Sequence, residues 1–137
     1  MMRYLGTDLS SFSSVQLPFD DSAQIASWAK SAMQAAYYLG YLTGSKTNGK
    51  LLAKPGSTIS RQEAMTILSR TKDFADADTS VLSAFSDSTQ IADWAKTALA
   101  QMTQQKIISG SKGKLNPTGK VTRAEVAKML YMLSTLA

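Results

Sequence analysis

The sequence predicts an all-α fold made of tandem helix–loop–helix repeats, and three observations support this prediction. Segments 19–34 and 85–100 are near-copies, since they share ten of sixteen residues at a constant offset of 66. A second pair of similar segments, 59–68 and 121–130, follows at an offset of 62. Apolar residues recur at helical spacing within these segments, and no long stretch alternates with period two. We therefore expect a repeat architecture with two helix pairs and little sheet.

The first helix of each repeat is predicted by a single apolar stripe on an amphipathic helix. The two stripes are Ile25, Trp28, Ala29, Ala32, Met33 and Ala36, and Ile91, Trp94, Ala95, Ala98, Leu99 and Met102. We expect Trp28 and Trp94 in the core, with an indole partly exposed and stacked on a sugar ring as the alternative. Asp21 and Asp87 precede the helices and are expected to cap their starts, the alternative being an acceptor for a sugar hydroxyl.

The second helix of each repeat opens with a capping signature. Residues 60–63 and 122–125 both read Ser/Thr-x-x-Glu, the pattern of a capping box, which explains the two glutamates structurally. Arg61 and Arg123 follow the cap residue, where a guanidinium and free backbone N–H groups would together receive a carboxylate or phosphate. The helix dipole mildly disfavours arginine at this position. Its occurrence twice at the same place therefore indicates a binding role.

The loops between the helices are rich in glycine, serine and lysine. Gly44 and Gly110 follow the first helices and are expected to allow a tight or left-handed turn, with close ligand approach as a second possibility. The loop lysines would raise the positive potential near the arginines and attract an anionic chain. These lysines are Lys46, Lys50, Lys54, Lys112, Lys114 and Lys120.

These patterns divide the chain into four parts. Residues 1–18 resemble the tail of a preceding repeat, residues 19–72 form the first repeat, residues 73–84 a linker, and residues 85–137 the second repeat. Because two repeats and a tail leave apolar stripes incompletely covered, we expect self-association or pairing with a further repeat.

The composition limits the chemistry of the chain. It contains neither cysteine nor histidine, which removes disulfides, thiolate metal sites and the commonest general base. An enzyme would depend on carboxylates, lysines or tyrosines, and the acidic residues lie mostly where caps and turns explain them. We therefore expect no catalysis, no metal and no cofactor.

The charge balance favours an anionic partner. Fifteen basic residues against ten acidic ones give a net charge of +5, which suits nucleic acid, anionic membrane or acidic polysaccharide. No apolar run approaches the roughly 18 residues needed to cross a bilayer, so we expect no membrane insertion.

The order of these elements resembles the S-layer homology motif. The second copy carries Phe85-Ser86-Asp87, Trp94-Ala95, Ile107-Ile108-Ser109-Gly110, Asn116-Pro117 and Val121-Thr122-Arg123-Ala124-Glu125. The first copy is looser, with Ser-Arg-Gln-Glu in place of Thr-Arg-Ala-Glu. The resemblance implies a small pseudo-symmetric helical bundle, in which three motifs surround a pseudo-threefold axis and ligand grooves lie between neighbouring motifs. Since two motifs are complete, a third would have to come from a second chain.

The resemblance also implies a function. Such domains are non-catalytic anchors that hold surface-layer proteins and exported enzymes on the Gram-positive cell wall, outside the cell. They bind an anionic secondary cell-wall polysaccharide, often one with pyruvylated sugars, and the arginine at the helix start commonly meets the acidic sugar. The residues expected to bind the polymer are Arg61, Arg123, Lys46, Lys112, Asp21, Asp87, Trp28, Trp94, Gly44 and Gly110.

Four other functions are alternatives to anchoring. A helical nucleic-acid binder would suit the charge, but the second helices carry few base-reading side chains and the loops are long. A calcium-dependent docking module would need carboxylates where these loops have lysines, and a glycoside hydrolase would need two carboxyls flanking the bond. A protein–protein assembly module of a surface complex stays open as an alternative.

Overall fold

The computed structural model describes residues 1–136. These residues fall into two compact units, one from Met1 to Ser57 and one from Thr58 onward. Their α-helices are α1 (Ser27–Tyr38), α2 (Arg61–Ser69), α3 (Asp93–Gln104) and α4 (Arg123–Ser134). Short 3-10 helices lie at Leu9–Phe12, Ser22–Gln24, Thr79–Ala84 and Ser88–Gln90. No helix in this part of the chain is long and apolar enough to cross a membrane.

The structure is helix-rich, as predicted, but it also contains a small antiparallel hairpin. Strands β1 (Ser45–Thr47) and β2 (Lys50–Leu52) pair within the first inter-helix loop. Asn48 and Gly49 form the turn with φ values of 50° and 74°, and an Asn-Gly pair with positive φ is the preferred two-residue hairpin turn. The second loop is shorter and forms only an isolated bridge. The expectation of a purely α fold was therefore wrong at this loop.

The first unit packs α1 against the N-terminal segment. Met2 lies in a buried cluster with Ala35 and Ala36. Gln34 is also buried, and its amide donates hydrogen bonds of 3.2 and 2.9 Å to the carbonyl oxygens of Ser13 and Val15. Because these two bonds satisfy the amide, the side chain can be buried while it holds the N-terminal segment against the helix.

The second unit is built around α3, which packs against α2 and the 3-10 turn at Thr79–Ala84. The predicted stripe on α3 is buried from Ala95 to Met102. Gln62 on α2 accepts a 2.9 Å hydrogen bond from the backbone N–H of Ala92, the residue that caps α3 but has no capping side chain. A helix from the first sequence repeat thus covers and caps a helix from the second.

The two tryptophans are not in the core, contrary to the expectation. Trp28 is 88% exposed and Trp94 is 58% exposed. Both stand in the first turn of their helices, and helical side chains lean toward the N-terminus. At the start of α3 the stripe residues before and after the tryptophan, Ile91 and Ala95, are buried, whereas Trp94 itself projects beyond the packed face.

Gly44 and Gly110 adopt the left-handed conformation that was predicted, with φ values of 73° and 71°. Each also lies against an aromatic ring. A Cβ atom on Gly44 would stand 2.6 Å from Cε1 of Phe19, and one on Gly110 would stand 2.9 Å from Cε1 of Phe85. Both the dihedral angle and the space therefore require glycine at these two turns.

We expect Gly110→Ala to destabilise the protein more than Gly113→Ala. Both glycines have positive φ, but a Cβ at Gly110 would meet the carbonyl oxygen of Lys114 at 2.5 Å, whereas the space around Gly113 is open. The dihedral strain common to both should cost about 1 kcal/mol, and the clash should add about 2 kcal/mol at Gly110. Chemical denaturation of both variants measures the difference, and equal losses would contradict the proposed contact.

Candidate functional site

Both second helices begin with the predicted capping box. In α2 the hydroxyl of Ser60 accepts from the N–H of Glu63 at 3.3 Å, and the Glu63 carboxylate accepts from the N–H of Ser60 at 2.6 Å. In α4 the same pair of bonds joins Thr122 and Glu125 at 3.2 and 2.8 Å. Arg61 and Arg123 are consequently the first residues of their helices, in the same local conformation.

Arg61 is engaged inside the protein. Its guanidinium forms an ion pair with Glu125 and donates a 2.9 Å hydrogen bond from Nε to the carbonyl oxygen of Leu115. The backbone N–H of Arg61 donates to the carbonyl oxygen of Gly119 at 2.8 Å, and that of Gln62 donates to the carbonyl oxygen of Pro117 at 2.9 Å. The side chain is 15% exposed. In this structure Arg61 therefore links the start of α2 to the second loop and to α4.

Glu125 holds its charge in this arrangement. The hydrogen bond from the N–H of Thr122 lowers the pKa of its carboxyl group; partial burial acts in the opposite direction, and the Arg61 cation adds to the lowering. Glu125 is thus ionised at neutral pH and pairs with Arg61 as a carboxylate.

Arg123, in contrast, is exposed and forms no ion pair with another described residue. The backbone N–H groups of Arg123 and Ala124 make no hydrogen bond to the rest of residues 1–136. Beside them lies an open depression of about 350 Å³ with mainly aliphatic walls. It is lined by Val121, Thr122, Arg123, Val126, Ala127 and Leu130. A cation, free N–H donors at a helix start and an apolar floor are therefore available together here.

The apolar floor of this depression was not among the predicted site residues. Val126, Ala127 and Leu130 follow Arg123 at i+3, i+4 and i+7. This spacing places the three aliphatic side chains on the face of α4 that also carries Arg123. The same spacing could have identified them in the sequence.

Asp21 and Asp87 do not cap the first helices, so that expectation was wrong. The two oxygens of Asp87 accept from the N–H groups of Leu115 and Asn116 at 2.9 and 2.8 Å. Asp21 does the same with residues 53 and 54, both at 2.8 Å. Both aspartates are buried. Each carboxylate therefore fixes the inter-helix loop of its own repeat, and α1 and α3 begin only further along the chain, at Ser27 and Asp93.

The pKa values of both aspartates lie below the ordinary value. Burial by itself would raise the pKa of Asp87, but the hydrogen bonds from Leu115 and Asn116 outweigh it, with a further lowering from Lys114. The pKa of Asp21 is lowered in the same way against the effect of burial, by residues 53 and 54. These carboxylates therefore favour the folded state when they are ionised.

The remaining predicted residues are distributed over both units. Lys46 lies on the exposed strand β1, and Lys112 is exposed in the second loop with a φ of 51°. Gly44 and Lys46 share the first unit with Asp21 and Trp28, whereas Gly110, Lys112, Asp87 and Trp94 share the second unit with both arginines. The start of α4 is the strongest candidate site, because it combines an exposed cation, the N–H groups of a helix start and an apolar floor.

Stability should fall with acid in a way that depends on Asp87. Since its folded pKa is below the unfolded value of about 3.8, its contribution is complete above that value and is lost as the pH falls through the folded pKa. We expect Asp87→Asn to be less stable at pH 7 and to lose less further stability between about pH 5 and 2 than the wild type. Exposed Asp73→Asn is the control, and identical acid profiles for wild type and Asp87→Asn in urea denaturation would contradict this role.

Comparison with known proteins identifies the repeats. Residues 18–65 and 84–127 match the S-layer homology domain. An amylopullulanase of Thermoanaerobacterium thermosulfurigenes is 31% identical over 110 residues, which is 77% of this chain and 6% of that protein. The exoglucanase XynX of Acetivibrio thermocellus has the same identity and covers 77% of the chain and 10% of its own length. A surface-layer 125 kDa protein of Lysinibacillus sphaericus is 37% identical over 59 residues, 43% of the chain and 5% of that protein.

The chain thus spans a small fraction of the length of these curated relatives. No solved structure gives a significant match. The family is that of non-catalytic cell-wall anchoring modules, and its members are found outside the cell, at the wall or surface. The matches fall on the two repeats that carry the capping boxes, the loop aspartates and the paired arginine positions. This chain belongs to the S-layer homology domain family.

Proposed function

We propose that the chain binds an anionic secondary cell-wall polysaccharide, such as one with pyruvylated sugars, and thereby attaches a surface protein to the bacterial envelope. The observation that carries this proposal is the environment of Arg123. It is an exposed guanidinium at a helix start, beside an open aliphatic depression, and within residues 1–136 neither an acidic partner for it nor an acceptor for the first N–H groups of the helix is present.

The chemistry of this position suits an acidic sugar. A carboxylate on a sugar ring would accept two parallel hydrogen bonds from the planar guanidinium and a further one from the backbone. The C–H face of the same ring would lie on Val126 and Leu130, where aliphatic contact favours a ring over a free inorganic anion. The site thus combines an electrostatic contact with an apolar one.

The other predicted residues have supporting roles in this proposal. Exposed Trp28 and Trp94 offer aromatic faces on which further sugar rings of the polysaccharide would stack. Exposed Lys46 and Lys112 attract the anionic polymer over a distance set by the ionic strength. Asp21, Asp87, Gly44 and Gly110 contribute by fixing the loops. Arg61 contributes by its link between α2 and the second loop.

Arg123→Ala is expected to weaken polymer binding at least tenfold, which corresponds to about 1.4 kcal/mol. Arg3→Ala is the matched control, because it removes the same charge from another exposed position of the chain. Binding is measured by co-sedimentation with purified Gram-positive cell-wall sacculi, before and after acid extraction of the secondary polymer. Circular dichroism of both variants checks that the helices are retained.

Three outcomes are distinguishable. Binding that disappears with the polymer and with Arg123→Ala, but persists in Arg3→Ala, supports the proposal. Equal loss in both variants would mean that net charge alone drives binding. Equal binding to extracted and untreated sacculi would point to peptidoglycan and would overturn the proposed ligand.

We also propose that the chain pairs with a further repeat of its own kind in a second copy. On α2, Met65 and Leu68 are 0% and 4% exposed, because α3 and the rest of the second unit cover them. Their equivalents at the offset of 62 are Ala127, which is exposed, and Leu130, which is half-buried. The corresponding face of α4 is thus left for another helix.

Self-association is therefore expected to rise with protein concentration in sedimentation-velocity experiments. Leu130→Gln should weaken it because a polar amide replaces an aliphatic contact at the centre of this face. Since the face borders Arg123, fragments of the polymer should also suppress it. A monomer mass at the highest attainable concentration would contradict the pairing, and polymer binding by that monomer would leave the anchoring proposal intact.

A further inference from the structure

The two repeats carry the same arginine in two different electrostatic states. Arg61 and Arg123 have equivalent sequence positions, equivalent capping boxes and the same place in their helices. One guanidinium is paired with a carboxylate and is 15% exposed, while the other is exposed and has no such partner among the described residues. Two contacts distinguish Arg61 from Arg123: the ion pair with Glu125 and the hydrogen bond from Nε to the carbonyl oxygen of Leu115. The contact with Glu125 is the one made with an acid group.

Glu125 performs two tasks with its two oxygens. One oxygen, Oε2, accepts from the N–H of Thr122 and completes the capping box, while Oε1 pairs with Nη1 of Arg61. A carboxylate on a guanidinium is the same interaction that an acidic sugar would form. Glu125 thus occupies, from within the protein, the position that an external acid group would take on Arg61.

Glu63 shows that the capping box alone does not produce this arrangement. Its Oε2 accepts from the N–H of Ser60, just as that of Glu125 accepts from Thr122. However, Glu63 is exposed and its carboxylate forms no ion pair with any residue in the described part of the chain. The two glutamates are therefore equivalent as caps and differ only in the contact with an arginine.

We propose that Glu125 determines the number of acidic sugars that the chain can bind, because it closes the Arg61 position and leaves the Arg123 position open. A carboxylate tethered to the same folded unit competes at a high effective concentration, so a single external acid group in dilute solution does not displace it. The proposal rests on the proposed function, since it concerns the same class of acidic ligand. It predicts one acid group per chain rather than one per repeat.

The test replaces Glu125 by glutamine. Glutamine at this position retains the capping box and the side-chain size but removes the negative charge. Glu63→Gln is the matched control, because it makes the same change in the other capping box, where no arginine is paired. The probe is a synthetic methyl glucoside with a pyruvyl acetal, and the readout is the ¹⁵N chemical shift of each arginine Nε–H during titration.

In the wild type and in Glu63→Gln, the Arg123 signal should shift on titration while the Arg61 signal does not. In Glu125→Gln, both signals should shift and the stoichiometry should rise from one to two sugars per chain. The double variant Arg61→Ala/Glu125→Gln should return to one. A shift of Arg61 in the wild type equal to that in Glu125→Gln would overturn the proposal, as would an unresponsive Arg61 in folded Glu125→Gln.

Two further results separate this inference from the proposed function. If Arg123 does not respond in any protein but Arg61 responds in Glu125→Gln alone, the role of Glu125 holds and the assignment of Arg123 fails. If Glu125→Gln does not fold, Glu125→Asp provides the test, since the shorter side chain withdraws the carboxylate from Arg61 and keeps an acid in the first turn of α4. The Arg61 signal should then shift on titration, and an unresponsive Arg61 in folded Glu125→Asp would overturn the inference.

Discussion

A single buried carboxylate organises the second unit. Asp87 accepts from the N–H of Leu115, and the carbonyl oxygen of the same residue accepts from Arg61. The Leu115 side chain is itself fully buried. Both peptide groups of Leu115 are therefore fixed: its N–H by the Asp87 carboxylate, and its carbonyl oxygen by the Arg61 guanidinium. Arg61 is thereby positioned to meet Glu125, so the start of α2, the loop and the start of α4 form one connected network.

This network explains why the two sequence repeats do not behave as two structural copies. The second unit takes α2 from the first repeat and α3 and α4 from the second. The contacts that α2 makes with α3 and α4 are thus contacts between repeats, including the hydrogen bond from the start of α3 to Gln62. Among residues 1–136, no helix packs on α4 as extensively as α3 packs on α2. Equivalent positions of the two repeats, such as Arg61 and Arg123, consequently differ in burial and in the residues they contact.

The same asymmetry places the two arginines in different environments, since Arg61 is paired and mostly buried and Arg123 is exposed. A guanidinium satisfied by a carboxylate and a carbonyl contributes to the cohesion of the unit, whereas one in contact with solvent stays accessible to molecules in solution. Sequence symmetry would have assigned both residues one role. The energetic difference comes from desolvation, because an arginine that is partly buried needs an internal counter-charge and an exposed one does not.

The features that could be predicted from the sequence are mostly those set by interactions between residues close together along the chain. The helices follow from apolar spacing, and both capping boxes follow from Ser/Thr-x-x-Glu, since these bonds join residues three positions apart. The left-handed turns at Gly44 and Gly110 follow from glycine after a helix. The hairpin was predictable in principle from Asn48-Gly49, but the period-two pattern was too short to indicate its strands. All of these features depend on neighbours along the chain.

The sequence by itself therefore determined the repeat, the helices, the capping boxes of α2 and α4, and the family. Only the tertiary structure decided the partners of Asp21 and Asp87, the exposure of Trp28 and Trp94, and which arginine is free. The physical reason is distance along the chain. A carboxylate can bond a neighbour or a loop some thirty residues away, and a stripe residue can be covered or left bare. In both cases the packing of remote segments determines which of these is realised, and local sequence does not encode that packing.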